Sequence, residues 1–184
     1  MKRHLIFSWS ASLLLTLALV GCATPLETVK LPGVGPAWQT GRMVDFGAGR
    51  GAITELVPVG QELGNWTHRI TIEFVEETPL TLEQWMAARR ATIESDCPDV
   101  TWIVLSHDEN ALSYEWRVEG CRGHADKHEL VRLLRGNDGL HSVSYAEKTE
   151  RMDPAARAVW LSRLNSAVVV KMEGDDLQEV TFAR

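Results

Sequence analysis

No familiar catalytic signature stands in these 184 residues: Gly-x-Ser-x-Gly, Ser-x-x-Lys and His-Glu-x-x-His are all absent. That sets aside the serine-hydrolase, penicillin-binding and zinc-protease chemistries those motifs carry. Positive charge is short as well. Nineteen Lys and Arg stand against 25 Asp and Glu, for a net charge of −6. Such a balance argues against nucleic acid and against a polybasic lipid-binding surface. There is no internal repeat and no low-complexity segment, which sets aside repeat arrays and disordered tracts. The apolar stretch Leu5–Val20 is uncharged but falls short of the about 20 residues a transmembrane helix needs. Cysteine is scarce: Cys22, Cys97 and Cys121 are the three in the chain.

What is present begins at the front. Met1-Lys2-Arg3-His4 is a short basic stretch ahead of the apolar run. A basic start, a short apolar middle and small residues at a cut site describe a secretory signal peptide. The run closes on Leu19-Val20-Gly21-Cys22, which resembles the lipobox of bacterial lipoproteins. The resemblance implies a signal peptide over residues 1–21, and palmitate-type acyl chains on Cys22 as the first mature residue. In that family an Asp after the cysteine favours the inner membrane. Ala23 stands here, so the resemblance implies the outer membrane, facing the periplasm. An anchor of two or three chains holds firmly, because each buried CH₂ contributes roughly 0.8 kcal/mol. Cleavage removes Lys2 and Arg3 and no acidic residue, leaving a still more acidic chain long enough for one cored domain. In that oxidising compartment Cys97 and Cys121 read as a disulfide.

Residues 22–40 hold Pro25, Pro32, Gly33, Gly35 and Pro36 without periodicity and read as a lipidated tether. Val29, Leu31 and Trp38 are its only docking candidates, and a single domain then spans 41–184. A short strand is expected over Arg42–Phe46. The glycine-rich Gly47–Gly51 that follows reads as a turn rather than a phosphate loop, because an edge-type strand, Ala52–Pro58, comes next. Ile70, Ile72 and Phe74 alternate with Thr71 and Glu73 in a further strand. Thr81 with Gln84 forms a capping box opening a helix to about Ser95, carrying Leu82, Trp85, Met86 and Ile93.

Two hairpins follow. Val100–Ser106 and Leu112–Gly120 pair so that Val100 faces Val118, Trp102 faces Trp116 and Val104 faces Tyr114. The same register sets Cys97 opposite Cys121, within reach of a bridge after a small adjustment. Lys127–Arg135 and Leu140–Glu147 flank Gly136-Asn137-Asp138-Gly139, a strong turn signal. That register sets Leu134 opposite His141, Arg132 opposite Val143 and Leu130 opposite Tyr145. Asp153-Pro154 opens a second helix with Trp160, Leu161, Leu164 and Val168 as its buried stripe. From Gly174 the chain reads as a polar tail, with a last strand at Val180–Phe182. The expected class is α+β: an antiparallel sheet of about five to seven strands, with two helices packed on one face.

Few side chains suggest a site. Arg132 and His141 fall near the apolar face beside Tyr114 and Tyr145, where a polar group must be satisfied. Those four are the candidates for lining a small anion or ligand pocket. His124, Asp126 and His128 have zinc-ligand chemistry, but Arg122 and Lys127 crowd them and no fourth ligand is evident, so no metal is expected. No cofactor and no catalytic residue is indicated. Trp38 and Trp66 have no clear core position and are candidates for an exposed aromatic pair. Ile53–Pro58, Asn65-Trp66-Thr67 and the cysteine pair together resemble small bacterial envelope proteins over about half the domain; that resemblance implies no activity. The expectation is a non-enzymatic envelope lipoprotein with a binding or structural role, bound to membrane by its lipid and to an envelope protein partner. The alternative is an immunity or inhibitor protein acting on an envelope-active toxin or hydrolase.

Overall fold

The computed structural model describes residues 27–47, 50–121, 123, 125–173 and 176–179. The expected signal peptide, Cys22, His124 and the Val180–Phe182 strand lie outside them. Among the described residues, ten strands and two helices run in the order β1 (Glu27–Lys30), β2 (Trp38–Asp45), β3 (Ala52–Pro58), β4 (His68–Glu76), α1 (Leu82–Asp96), β5 (Thr101–His107), β6 (Ala111–Val118), β7 (Lys127–Arg135), β8 (Gly139–Glu147), α2 (Pro154–Asn165), β9 (Val168–Glu173) and β10 (Asp176–Glu179). Seven form one antiparallel sheet, ordered β2-β3-β4-β8-β7-β6-β5, and three form a small sheet, β1-β9-β10. The α+β class and the seven-stranded antiparallel sheet are therefore as expected.

Both hairpin registers are also as expected. Trp102 pairs with Trp116 and Val104 with Tyr114, and Cys97 and Cys121 are joined with Cα atoms 5.6 Å apart. Across the second hairpin, Leu130 pairs with Tyr145, Arg132 with Val143 and Leu134 with His141. The helix starts hold too. Thr81 Oγ1 accepts from the Gln84 amide while Gln84 Oε1 accepts from the Thr81 amide. The Asp153 carboxylate accepts from the amides of Ala155 and Ala156. Each cap satisfies amides that a helix start otherwise leaves unpaired.

The helices do not share a face. Leu130, Leu134, Val143, Tyr145 and Ile70 pack with Trp160 and Leu164 of α2, whereas Leu112, Tyr114, Trp116, Val131 and Leu133 pack with Leu82 and Trp85 of α1. Neighbouring strand residues alternate sides, so β6 and β7 feed one core with even and odd positions in turn. A near-continuous apolar strand such as Leu130–Leu134 is what two covered faces require.

The tether expected over 22–40 does not extend past residue 26. Glu27–Lys30 pairs antiparallel with β9, Val29 and Leu31 are buried, and Trp38 begins β2. Four residues with no periodic pattern are enough for a strand when a partner supplies the hydrogen bonds. Val168 belongs to β9 rather than to the helix stripe, and the expected polar tail holds strand β10. β2, not β3, is the sheet edge on this side. Gly136 does more than turn the chain: a methyl group there would collide with Glu27 Oε2 and His141 Nε2.

Candidate ligand groove

The four side chains expected to share a pocket are divided by the sheet. Tyr114 packs on the α1 side against Trp102, at 5.3 Å between ring centroids. The remaining three lie on the α2 side, and each is taken up by the fold. Arg132 Nη1 donates to Ser113 Oγ and Asn165 Oδ1 at 3.2 and 3.1 Å. Tyr145 donates to Glu147 Oε1 at 2.8 Å and stacks on Trp160 with centroids 3.8 Å apart. His141 is 1% exposed, stacked on Phe74, with Nε2 3.4 Å from Glu27 Oε2. Glu27 also accepts the amides of Asn137 and Asp138. These contacts tie β1 to the β7–β8 turn and leave structural pairs where a ligand pocket was expected. Of the metal-type residues, Asp126 accepts the Gly120 amide, and His128 Nδ1 accepts the Met152 amide.

The α1 side is different. α1 lies over β5, β6 and β7, and the loop between β3 and β4 puts Leu63 and Trp66 over Val57 and Ala146. A cavity of about 290 Å³ opens between these covers, at the disulfide end of the sheet. Ile93, Cys97, Val118 and Ala125 line its apolar part, with the indoles of Trp66 and Trp116. Lys127, Lys148 and Asp96 bring charge to it.

The cations are placed on the indoles. Lys148 Nζ and the Arg69 guanidinium each lie 4.7 Å from the Trp66 ring centre, and Lys127 Nζ lies 4.2 Å from that of Trp116. Arg69 pairs with Glu55 at 2.9 Å and Lys127 with Glu129 at 2.8 Å. Lys148 has no acidic partner among the described residues. Burial raises the Glu129 carboxyl, but the Lys127 ammonium and hydrogen bonds from Lys127 and Ser144 outweigh it, holding the pKa down to about 2. Burial pushes the Glu73 carboxyl on this face up, against Arg89 and with Glu129.

Sequence reasoning placed Trp66 among possible exposed aromatics. It is 7% exposed and belongs to the groove wall, while Trp38 packs across the sheet on Trp160 and Tyr145. No exposed pair forms. Lys127 and Lys148 were missed, because only the fold brings a loop, a helix end and two strand ends together. The sequence matches no protein-family model and no curated protein.

Two histidines make stability depend on pH. Burial holds His141 and His128 below the ordinary imidazole value, against the carboxylates of Glu27 and Glu115. The fold therefore keeps both neutral where the unfolded chain binds protons. Their stabilisation is fully present above a pH of about 6.5 and is lost as pH falls through that value toward the folded-state pKa. The urea midpoint should accordingly be lower at pH 5.5 than at 7.5. Equal midpoints would mean that neither imidazole is held neutral. Glu129 extends the same loss below the carboxylate range, and Glu73 opposes it.

Proposed function

We propose that this chain is a lipid-anchored protein of the bacterial envelope with a non-enzymatic binding role, held at the outer membrane and facing the periplasm. The observation that carries the reading is Cys22, which ends a lipobox-like Leu19-Val20-Gly21-Cys22 and precedes Glu27 by five residues. Glu27 is 1% exposed and bound to the β7–β8 turn. Five residues span at most about 18 Å when fully extended, so an anchored Cys22 keeps that turn close to the bilayer. The nine residues of β8 run about 30 Å from the turn to the groove end. This separation supports a domain that binds at the membrane surface and presents its groove away from the anchor point. The Cys97–Cys121 disulfide suits the same compartment.

Metabolic labelling with radioactive palmitate tests the anchor. The native chain should take up label and lose residues 1–21, whereas Cys22→Ala should take up none and accumulate as the longer precursor. Unlabelled native protein, or label retained by Cys22→Ala, would overturn the reading.

A second reading, an immunity or inhibitor protein against an envelope-active toxin or hydrolase, draws on the β5 edge. β5 ends the large sheet, with Ile103 and Val104 exposed at 43% and 54%. An open apolar strand edge can accept a strand from a partner. A tight one-to-one complex with a single envelope hydrolase would favour it.

A further inference from the structure

We propose that the groove between α1 and the β3–β4 loop binds a small amphipathic organic anion, with its acidic head at Lys148 and its apolar body along Ile93, Val118 and Cys97. This deepens the binding role above and rests on it.

Size limits the body. The cavity of about 290 Å³ lies just below the range for small-molecule clefts, roughly 300–1,000 Å³. A fused ring pair or a medium acyl chain fits such a space. The walls are mostly apolar, as small-ligand sites are, with few charges to orient the occupant.

The sign of the head follows from the indoles. An aromatic site for a cation offers ring faces to it. Here Lys148 and Arg69 already sit over Trp66, and Lys127 over Trp116. A ligand cation would find those ring faces already covered by the chain's own cations. An anion meets them favourably. Arg69 and Lys127 are balanced by Glu55 and Glu129, which leaves Lys148, among the described residues of the groove, as the cation able to answer a ligand charge. It does so in a chain of net charge −6, so the local sign opposes the overall one. Asp96, at the end of α1, and Lys148, just beyond β8, are both exposed at the groove mouth, so water screens both. Lys148 differs in that its ammonium lies against the Trp66 indole that forms the apolar wall. This directs the head toward the Lys148 side.

The groove is also held open in advance. The capping box fixes the start of α1, and the disulfide fixes its far end to the chain leaving β6. Walls set before binding spare the ligand the cost of ordering them.

Calorimetric titration of the full chain in phosphatidylcholine nanodiscs, with empty discs as blank, tests the proposal. The probes are naphthalene-2-sulfonate, neutral 2-naphthol and 1-naphthylmethylammonium. The sulfonate should bind at least tenfold more tightly than naphthol, and the ammonium more weakly than either. Lys148→Glu should weaken sulfonate at least tenfold and leave naphthol nearly unchanged. Ala125→Trp, which fills the groove from an exposed position, should weaken both. Dodecanoate below its micelle concentration should displace the sulfonate. Displacement only by phosphatidylglycerol placed in the discs would overturn the proposal in favour of bilayer lipid. Equal binding of sulfonate and naphthol, or an unchanged sulfonate affinity in Lys148→Glu, would overturn the anion and leave the binding role standing. If none of the probes bound, both the groove and the binding role would fall.

Discussion

Replacing Cys97 and Cys121 together by alanine is expected to lower the stability of the oxidised protein by about 3–3.5 kcal/mol. The bridge closes a loop between residues separated by 24 positions, and loops of that size restrict the unfolded chain by this amount in the chain-entropy account. For a domain of this length the melting temperature should fall by roughly 10 °C. Alanine is preferable to serine because Cys97 is buried, and a hydroxyl there would need a partner. The effect should reach the groove, since Cys97 lines it and the bridge ties down the end of α1. Scanning calorimetry with and without reductant checks the first part. The native protein should lose the same stability on reduction, and the double variant should no longer respond. A melting temperature insensitive to both would mean that the hairpin alone holds the helix end.

Glu27→Ala should destabilise by about 2–3 kcal/mol, a large effect for a residue whose surroundings in sequence look like a linker. Its carboxylate accepts the amides of Asn137 and Asp138 at 3.1 and 3.0 Å and faces His141. Truncation leaves these groups without their acceptor in a space that Gly136 keeps narrow. Native-state hydrogen exchange should show β1 and its partner β9 losing protection before the large sheet. Equilibrium urea unfolding gives the size of the loss. A change under about 0.5 kcal/mol, typical of an exposed position, would mean that water replaces the carboxylate freely.

The contrast between these two residue sets explains what could be read in advance. The cysteine pairing was legible because the apolar pattern of Val100–Ser106 and Leu112–Gly120 and the cysteine spacing select one register. The Gly136–Gly139 turn likewise set Arg132 opposite Val143. Local hairpins state their pairing through side chains a few residues apart. Glu27 states nothing locally. Its strand pairs with Lys171 and its carboxylate with a turn more than a hundred residues away.

The groove was illegible for a related reason. Trp66 comes from a loop, Ile93 from the end of α1, Trp116 from β6 and Lys148 from just beyond β8. No spacing within the chain links them. The division of Tyr114 from Tyr145 was missed because the two hairpin registers leave open how β6 pairs with β7. That pairing sets Tyr114 opposite Val131 rather than opposite Leu130, the partner of Tyr145.

The sequence by itself determined the α+β class, both central hairpins, the two helix starts and the disulfide, all through short-range pattern, cap and turn chemistry. Only the tertiary structure decided that the helices cover opposite faces, that Glu27–Lys30 is a core strand, and that two tryptophans and two lysines meet in one groove. The physical reason is that burial and long-range pairing depend on which surfaces meet. That is a property of the whole packed chain and of no single stretch of it.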